Sequence, residues 1–223
     1  MSSTIIDMDA FQAILLGTLS CGCPISASGE AQVVEYWNGL RHEKQADFGK
    51  VLDLLSLEPA STPFHMLYQY CLNKSDTPLS LHIGINDVLR YLGSQYHYGR
   101  LTAGAPDHSD AMSPFFIAHM LLPVRLQENG RGVYNLGKTN IFLKNICKAP
   151  WKLPPSGPLA AVHFGLVLCG LTERQFQLLL DHQSLIPDFV RRAAQTAEID
   201  FANLPQYGNH SLQMAKRMGK YLI

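Results

Sequence analysis

Three groups of residues have the types and spacing that chemistry needs. The first, Gly132-Val133-Tyr134-Asn135-Leu136-Gly137-Lys138-Thr139, fits G-x-x-x-x-G-K-[ST] at every fixed position. In that pattern the backbone N–H groups of a loop surround a β-phosphate, the lysine reaches the outer phosphates and the threonine hydroxyl holds magnesium. Gly132, Gly137, Lys138 and Thr139 would take those parts, and Asn140 to Cys147 would form the helix whose positive end faces the anion. The second group is Asp107-His108-Ser109-Asp110. Asp107, His108 and Asp110 offer oxygen and imidazole ligands of the kind that suit magnesium, manganese or non-haem iron, as in a metal-dependent hydrolase. The third is a basic segment in which Arg125, Arg131, Lys138, Lys144, Lys148 and Lys152 are interleaved with Tyr134, Phe142 and Trp151. Cations of this kind neutralise phosphates while aromatic rings stack on exposed bases.

Over its eight residues the first group resembles P-loop nucleotide-binding proteins. That resemblance implies a strand–loop–helix unit in a strand-rich fold, with a nucleotide bound at Lys138 and Thr139. The surroundings point elsewhere. Gln127-Glu128-Asn129-Gly130-Arg131 precedes Gly132 where a buried β-branched strand is wanted, and bulky Val133, Tyr134 and Leu136 occupy the cradle. Leu178-Leu179-Leu180-Asp181 has the letters of a strand ending in aspartate, but it falls inside a helix opened by Thr172. For Asp107 to Asp110 the competing reading is a loop capping the helix that Ser113-Pro114 opens. For the basic segment it is a solvated face, with Lys144 and Lys148 on one side of a helix.

Composition narrows the field. The 223 residues are 47% hydrophobic, enough to bury a core without disulfides or metals. Charged residues make up only 16%, which suits a surface partly covered by a protein partner. The net charge is zero but unevenly spread. Residues 1–70 carry three basic side chains against eight acidic ones, and residues 125–152 carry six against one. Such polarity fits an anionic partner for the basic stretch. Five cysteines without disulfide spacing read as a reducing, cytoplasmic setting. Asp7 and Asp9 precede the apolar run Ala13 to Leu16, so no secretory signal is expected, and no apolar run is long enough to span a membrane.

The elements that would position these groups read mainly as helices. Apolar stripes at helical spacing recur at Phe11-Ile14-Leu15-Leu19, at Phe48-Val51-Leu52-Leu55 and at Ile85-Val88-Leu89-Leu92. A fourth, Phe64-Leu67-Tyr68-Cys71, has Thr62 as N-cap and Pro63 at the first helical position. Thr172 to Gln175 fits a capping box, and further helices are expected from Pro187 and from Asn209. Strand signals are confined to the alternation of Leu79 to Ile83 and a short ribbon beginning at Gly132.

The expectation is a mainly α, irregular multi-helix domain with at most a short β-ribbon. It divides into an N-terminal lobe at 1–148, a Pro-rich crossing at 149–158 and a C-terminal helical lobe at 159–223, or forms one domain throughout. The leading function is a non-enzymatic interaction protein or assembly subunit. Its contacts to an anionic partner, a nucleic acid being one candidate, would come from Arg125, Arg131, Lys138, Lys144, Lys148, Trp151 and Lys152. No cofactor and no membrane partner belong to that reading. The nucleotide-binding enzyme and the metal-dependent hydrolase are its alternatives.

Overall fold

The computed structural model describes residues 3–21, 26–56, 62–76, 80–94, 117–118, 120–147, 157–183 and 198–203. The chain divides into two compact units between Tyr91 and Leu92. The Pro-rich crossing expected at 149–158 falls almost wholly outside the described residues, as do the helices expected from Ser113, Pro187 and Asn209. Among the described residues there are six α-helices and nine strands, which overturns the mainly α, all-helical expectation.

In the first unit a three-stranded sheet runs in the order β2-β1-β3, where β1 is Ser3–Asp7, β2 Gln45–Asp47 and β3 Ser80–Ile83. β1 pairs antiparallel with β2 and parallel with β3. Of the alternation expected over Leu79 to Ile83, Ser80–Ile83 is a strand, with Leu81 and Ile83 buried. Helix α1, Met8–Cys21, buries Ala10, Phe11, Ala13 to Leu16 and Leu19, so apolar residues line every side of it, as expected for a helix inside a core. α2, Ala27–Leu40, was not foreseen. Its N-cap is Ser26, whose hydroxyl accepts from Gly29 N–H at 3.1 Å. α3 (Phe48–Leu54), α4 (Pro63–Leu72) and α5 (Ile85–Leu92) coincide with the apolar stripes, and Thr62 caps α4 with Pro63 at its first position.

The second unit is built on a six-stranded sheet in the order β8-β7-β4-β5-β6-β9. Its strands are β4 Leu122–Leu126, β5 Gly132–Leu136, β6 Thr139–Lys144, β7 Leu159–His163, β8 Leu166–Gly170 and β9 Glu198–Asp200. All pairings are antiparallel except β6 with β9. Beyond β6 the backbone makes a parallel bridge from Cys147 to Leu166, with Cys147 N–H donating to Gly165 O at 2.7 Å and Val167 N–H to Cys147 O at 3.0 Å. These bonds join the far side of β6 to β8, so the sheet curls back on itself. Inside the curl lie Leu122, Val124, Tyr134, Leu136, Ile141, Leu143, Ala160, Val162, Val167 and Ile199. Each fully buried aliphatic side chain of this kind contributes about 1.5–3 kcal/mol. Helix α6, Glu173–His182, lies over β4 and β7 and buries Phe176 and Leu179. The capping box is present in full, Gln175 N–H to Thr172 Oγ1 at 3.2 Å and Thr172 N–H to Gln175 Oε1 at 3.0 Å. A 3-10 turn, Phe201–Asn203, follows β9.

Candidate functional site

The G-x-x-x-x-G-K-[ST] residues form a β-hairpin, not the expected strand–loop–helix unit. Leu136 pairs with Thr139 and Gly132 with Leu143, leaving Gly137-Lys138 as a two-residue turn. Gly137 has φ +60°, the conformation that a tight hairpin of the II′ kind asks of its first central residue. The preceding turn explains why no strand leads into Gly132. Asn129 and Gly130 both have positive φ, and Arg131 N–H closes on Glu128 O at 3.3 Å, which is the Asn-Gly signature of a type I′ hairpin. Gly132 to Tyr134 are paired on both sides, with β4 and with β6, so this backbone is ladder and not a phosphate cradle. Asn140 to Lys144 belongs to strand β6, so the helix expected to follow the motif is absent there and Lys144 lies on a strand.

The basic segment is likewise divided. The Arg125 guanidinium sits 4.9 Å from the Phe176 ring centroid and 3.9 Å from Glu173 Oε1. Lys144 Nζ is 2.7 Å from Glu198 Oε1 across the parallel β6–β9 pair. Arg131 and Lys138 occupy turns at opposite ends of β5, roughly 20 Å apart at the rise of an extended strand. Arg125 stands in one row with Val133 and Phe142 on the outer face of the sheet, Lys144 lies two residues beyond Phe142 on that face, and Lys138 is at the far turn of β5. Phe142, alone among the described large hydrophobic residues, is substantially exposed, and Tyr134 is buried in the core. Lys148, Trp151 and Lys152 lie outside the described residues, and so do Asp107, His108 and Asp110. Among the described residues no three His, Cys, Asp or Glu side chains gather as a metal site.

The structure does bring Lys138 and Thr139 into a cleft of about 570 Å³ in the second unit. One wall is the end of the β5–β6 hairpin, Asn135 to Thr139. The other is the C-terminal turn of α6, through Gln177, Leu180 and Asp181, followed by Gln183. The hairpin wall is held by Asn135 Nδ2 donating to Asn140 Oδ1 at 2.6 Å. On the helical wall, Gln177 Nε2 donates to Asp181 Oδ1 at 2.8 Å, an i to i+4 bond that orients the carboxylate. Gln183 is the C-cap of α6, and its backbone N–H reaches the carbonyl of Leu179. The residue is only 6% exposed, yet neither Nε2 nor Oε1 has a hydrogen-bond partner. An unmet buried polar group costs about 1–3 kcal/mol, so a carboxamide kept in this state calls for a physical reason. Sequence reading missed Gln183 and Gln177, and weighed Asp181 only as the end of a strand. Periodicity puts them at the end of a helix but says nothing of the hairpin that packs beside them.

A second polar cluster lies on the first unit's sheet. Asp7 Oδ1 accepts from Gln45 Nε2 at 3.1 Å and is 2.8 Å from His82 Nε2. Burial alone would raise the Asp7 carboxyl, but the hydrogen bonds from His82 and Gln45 outweigh it and hold the group below the usual carboxylate range. Thiol chemistry finds no support among the described cysteines. Burial pushes the Cys71 thiol up to about 12 and raises that of Cys147, and Cys169 is buried. Among the described residues no helix is long and apolar enough to cross a membrane. No family model, no curated protein and no solved structure matches the chain.

Proposed function

We propose that the second unit is a ligand-binding module, and that the cleft between the β5–β6 hairpin and the end of α6 takes up a small polar molecule. The observation that carries this reading is the cleft lining, where Lys138, Thr139, Gln177 and Asp181 come together beside Gln183, whose buried carboxamide has donor and acceptor both unmet. A turn of the Gln183 side chain into the cleft would let a ligand edge offering one acceptor and one donor satisfy both and recover their desolvation cost on binding. The cleft volume falls within the roughly 300–1,000 Å³ of small-molecule sites, and a few polar groups among leucines is the composition such sites use.

Residues 125–152 place Arg125 and Lys144 on the same outer face of the sheet, each already beside an acidic side chain. Arg131 and Lys138 lie in the turns that flank β5, so a shared cationic face would not include both.

Protein-observed NMR tests the proposal. Small amides, glutamine and acetamide among them, are titrated while the side-chain NH₂ resonances of Gln183 are followed. Saturable shifts there, absent in Gln183→Met, are expected. Shifts that scatter over the surface, or none up to the solubility of the probes, would defeat it.

A further inference from the structure

We propose that the outer face of the second unit's sheet docks against the same face of another copy of this chain. Strand register lines up Arg125, Val133, Phe142 and Glu198 as one row across β4, β5, β6 and β9. Their strand neighbours Val124, Tyr134, Leu143 and Ile199 are buried in the core, so the row itself points outward. Phe142, in the middle of the row, is 48% exposed, and Val133 beside it is half-buried. The two ends carry opposite charge. Arg125 has Glu173 at 3.9 Å, and Glu198 has Lys144 at 2.7 Å. Each of these four side chains keeps at least 39% of its surface open, so each has room for a second counter-charge.

A row that reads cation, apolar, apolar, anion is complementary to itself when turned end for end. A twofold axis running along the strands between Val133 and Phe142 does this. Val133 of each copy then meets Phe142 of the other, and Arg125 meets the partner's Glu198. The accompanying charges follow, with Glu173 facing the partner's Lys144. Two exposed pairs, each worth little in isolation, join as a four-charge network at either end of an apolar centre. Relief agrees with charge. α6 stands above the sheet over β4 and β7, while beyond β6 the sheet turns back on itself, so the ridge of one copy lies over the receding edge of the other. Arg131 is the charge that this pairing leaves unmatched. It precedes Gly132, which pairs with Leu143, and so stands at the Lys144 end of the face, where the partner brings a lysine.

Sedimentation velocity on the full chain, from about 10 μM to about 0.5 mM, tests this. A dimer that grows with concentration and weakens with added salt is expected. Phe142→Ser should lower the association constant about tenfold or more, through loss of the apolar anchor. Arg125→Glu and Glu198→Arg should each abolish the dimer, since either change sets like charges against each other at both ends of the row. Mixed in equal amounts, these two variants should recover a dimer within about threefold of the parent, because every end-to-end contact is again between opposite charges. Arg131→Ala should tighten association. Circular dichroism spectra matching the parent's show that the variants fold. A parent chain that stays monomeric throughout the range would overturn the proposal and leave the face to a different partner. A dimer indifferent to Phe142→Ser, one loosened by Arg131→Ala, or a mixture no stronger than its components would overturn it as well.

Discussion

Replacing Gly132 by alanine separates the hairpin from a phosphate loop through stability alone. Gly132 is the first residue of β5 and faces the inside of the curled sheet. A Cβ built there collides with Val124 Cγ1, comes within 2.9 Å of Ile146 Cδ1 and lies 3.3 Å from Arg125 O. Two of these neighbours are core side chains with little room to turn, and the third is backbone. Overpacking of this sort costs about 1–3 kcal/mol, against which the lower unfolded-state entropy of alanine returns about 0.4–1 kcal/mol. The net expectation is a loss of about 1–2 kcal/mol, or several degrees in melting temperature for a chain of this size. Gly39→Ala in α2 is the matched control. Nothing lies within 4 Å of its added Cβ, so the helix gains up to about 1 kcal/mol from the same change. Thermal and urea denaturation of both variants gives the two signs. Combining Gly132→Ala with Val124→Ala should cost less than the sum of the single changes, because the clash is removed along with Cγ1. A Gly132→Ala protein as stable as the parent, or strict additivity with Val124→Ala, would refute the packing described here.

Further expectations concern local chemistry. Thr172→Ala removes the N-cap of α6 and should cost about 1 kcal/mol in urea denaturation, with Thr172→Ser restoring most of it. Asp7 is held below the usual carboxylate range, so its contribution to stability is present above that range and is lost as pH falls through its lowered value. Asp7→Asn should therefore flatten the acid side of the stability–pH profile, and an unchanged profile would contradict the His82 and Gln45 contacts. With its thiol near 12, Cys71 is about one part in ten thousand thiolate at pH 8, so alkylation of Cys71 should follow global unfolding and not precede it. Lys144→Ala breaks an exposed ion pair with Glu198 and should move stability by less than about 1 kcal/mol.

What was legible in the sequence was the chemistry that acts over three or four residues. Thr62-Pro63 and the Thr172/Gln175 capping box fix helix starts through contacts within one turn, and both stand where expected. The sheet of the second unit was not legible, for reasons that differ by strand. β7 and most of β8 are buried on both faces, so Leu159 to His163 shows no alternation and is indistinguishable by pattern from a core helix. Pro123 argues against a strand, yet it lies one residue outside the β4–β5 register, where no ladder bond to β5 is lost. Asn129-Gly130 was the local signal for a hairpin, and the phosphate-loop letters beside it drew Gly137 into a different role. The cleft itself depends on the hairpin tip and the end of α6 meeting across some forty residues of sequence, a tertiary event that no periodicity records.

The measurement closest to the central claim is the melting temperature of Gln183→Met, without ligand. If the carboxamide is buried unmet and retained for binding, an apolar side chain of similar length should stabilise the protein by about 1–3 kcal/mol, raising the melting temperature by several degrees while ligand binding is lost. A lower melting temperature would mean that Gln183 already serves the fold, and the cleft would lose the group on which its recognition chemistry rests.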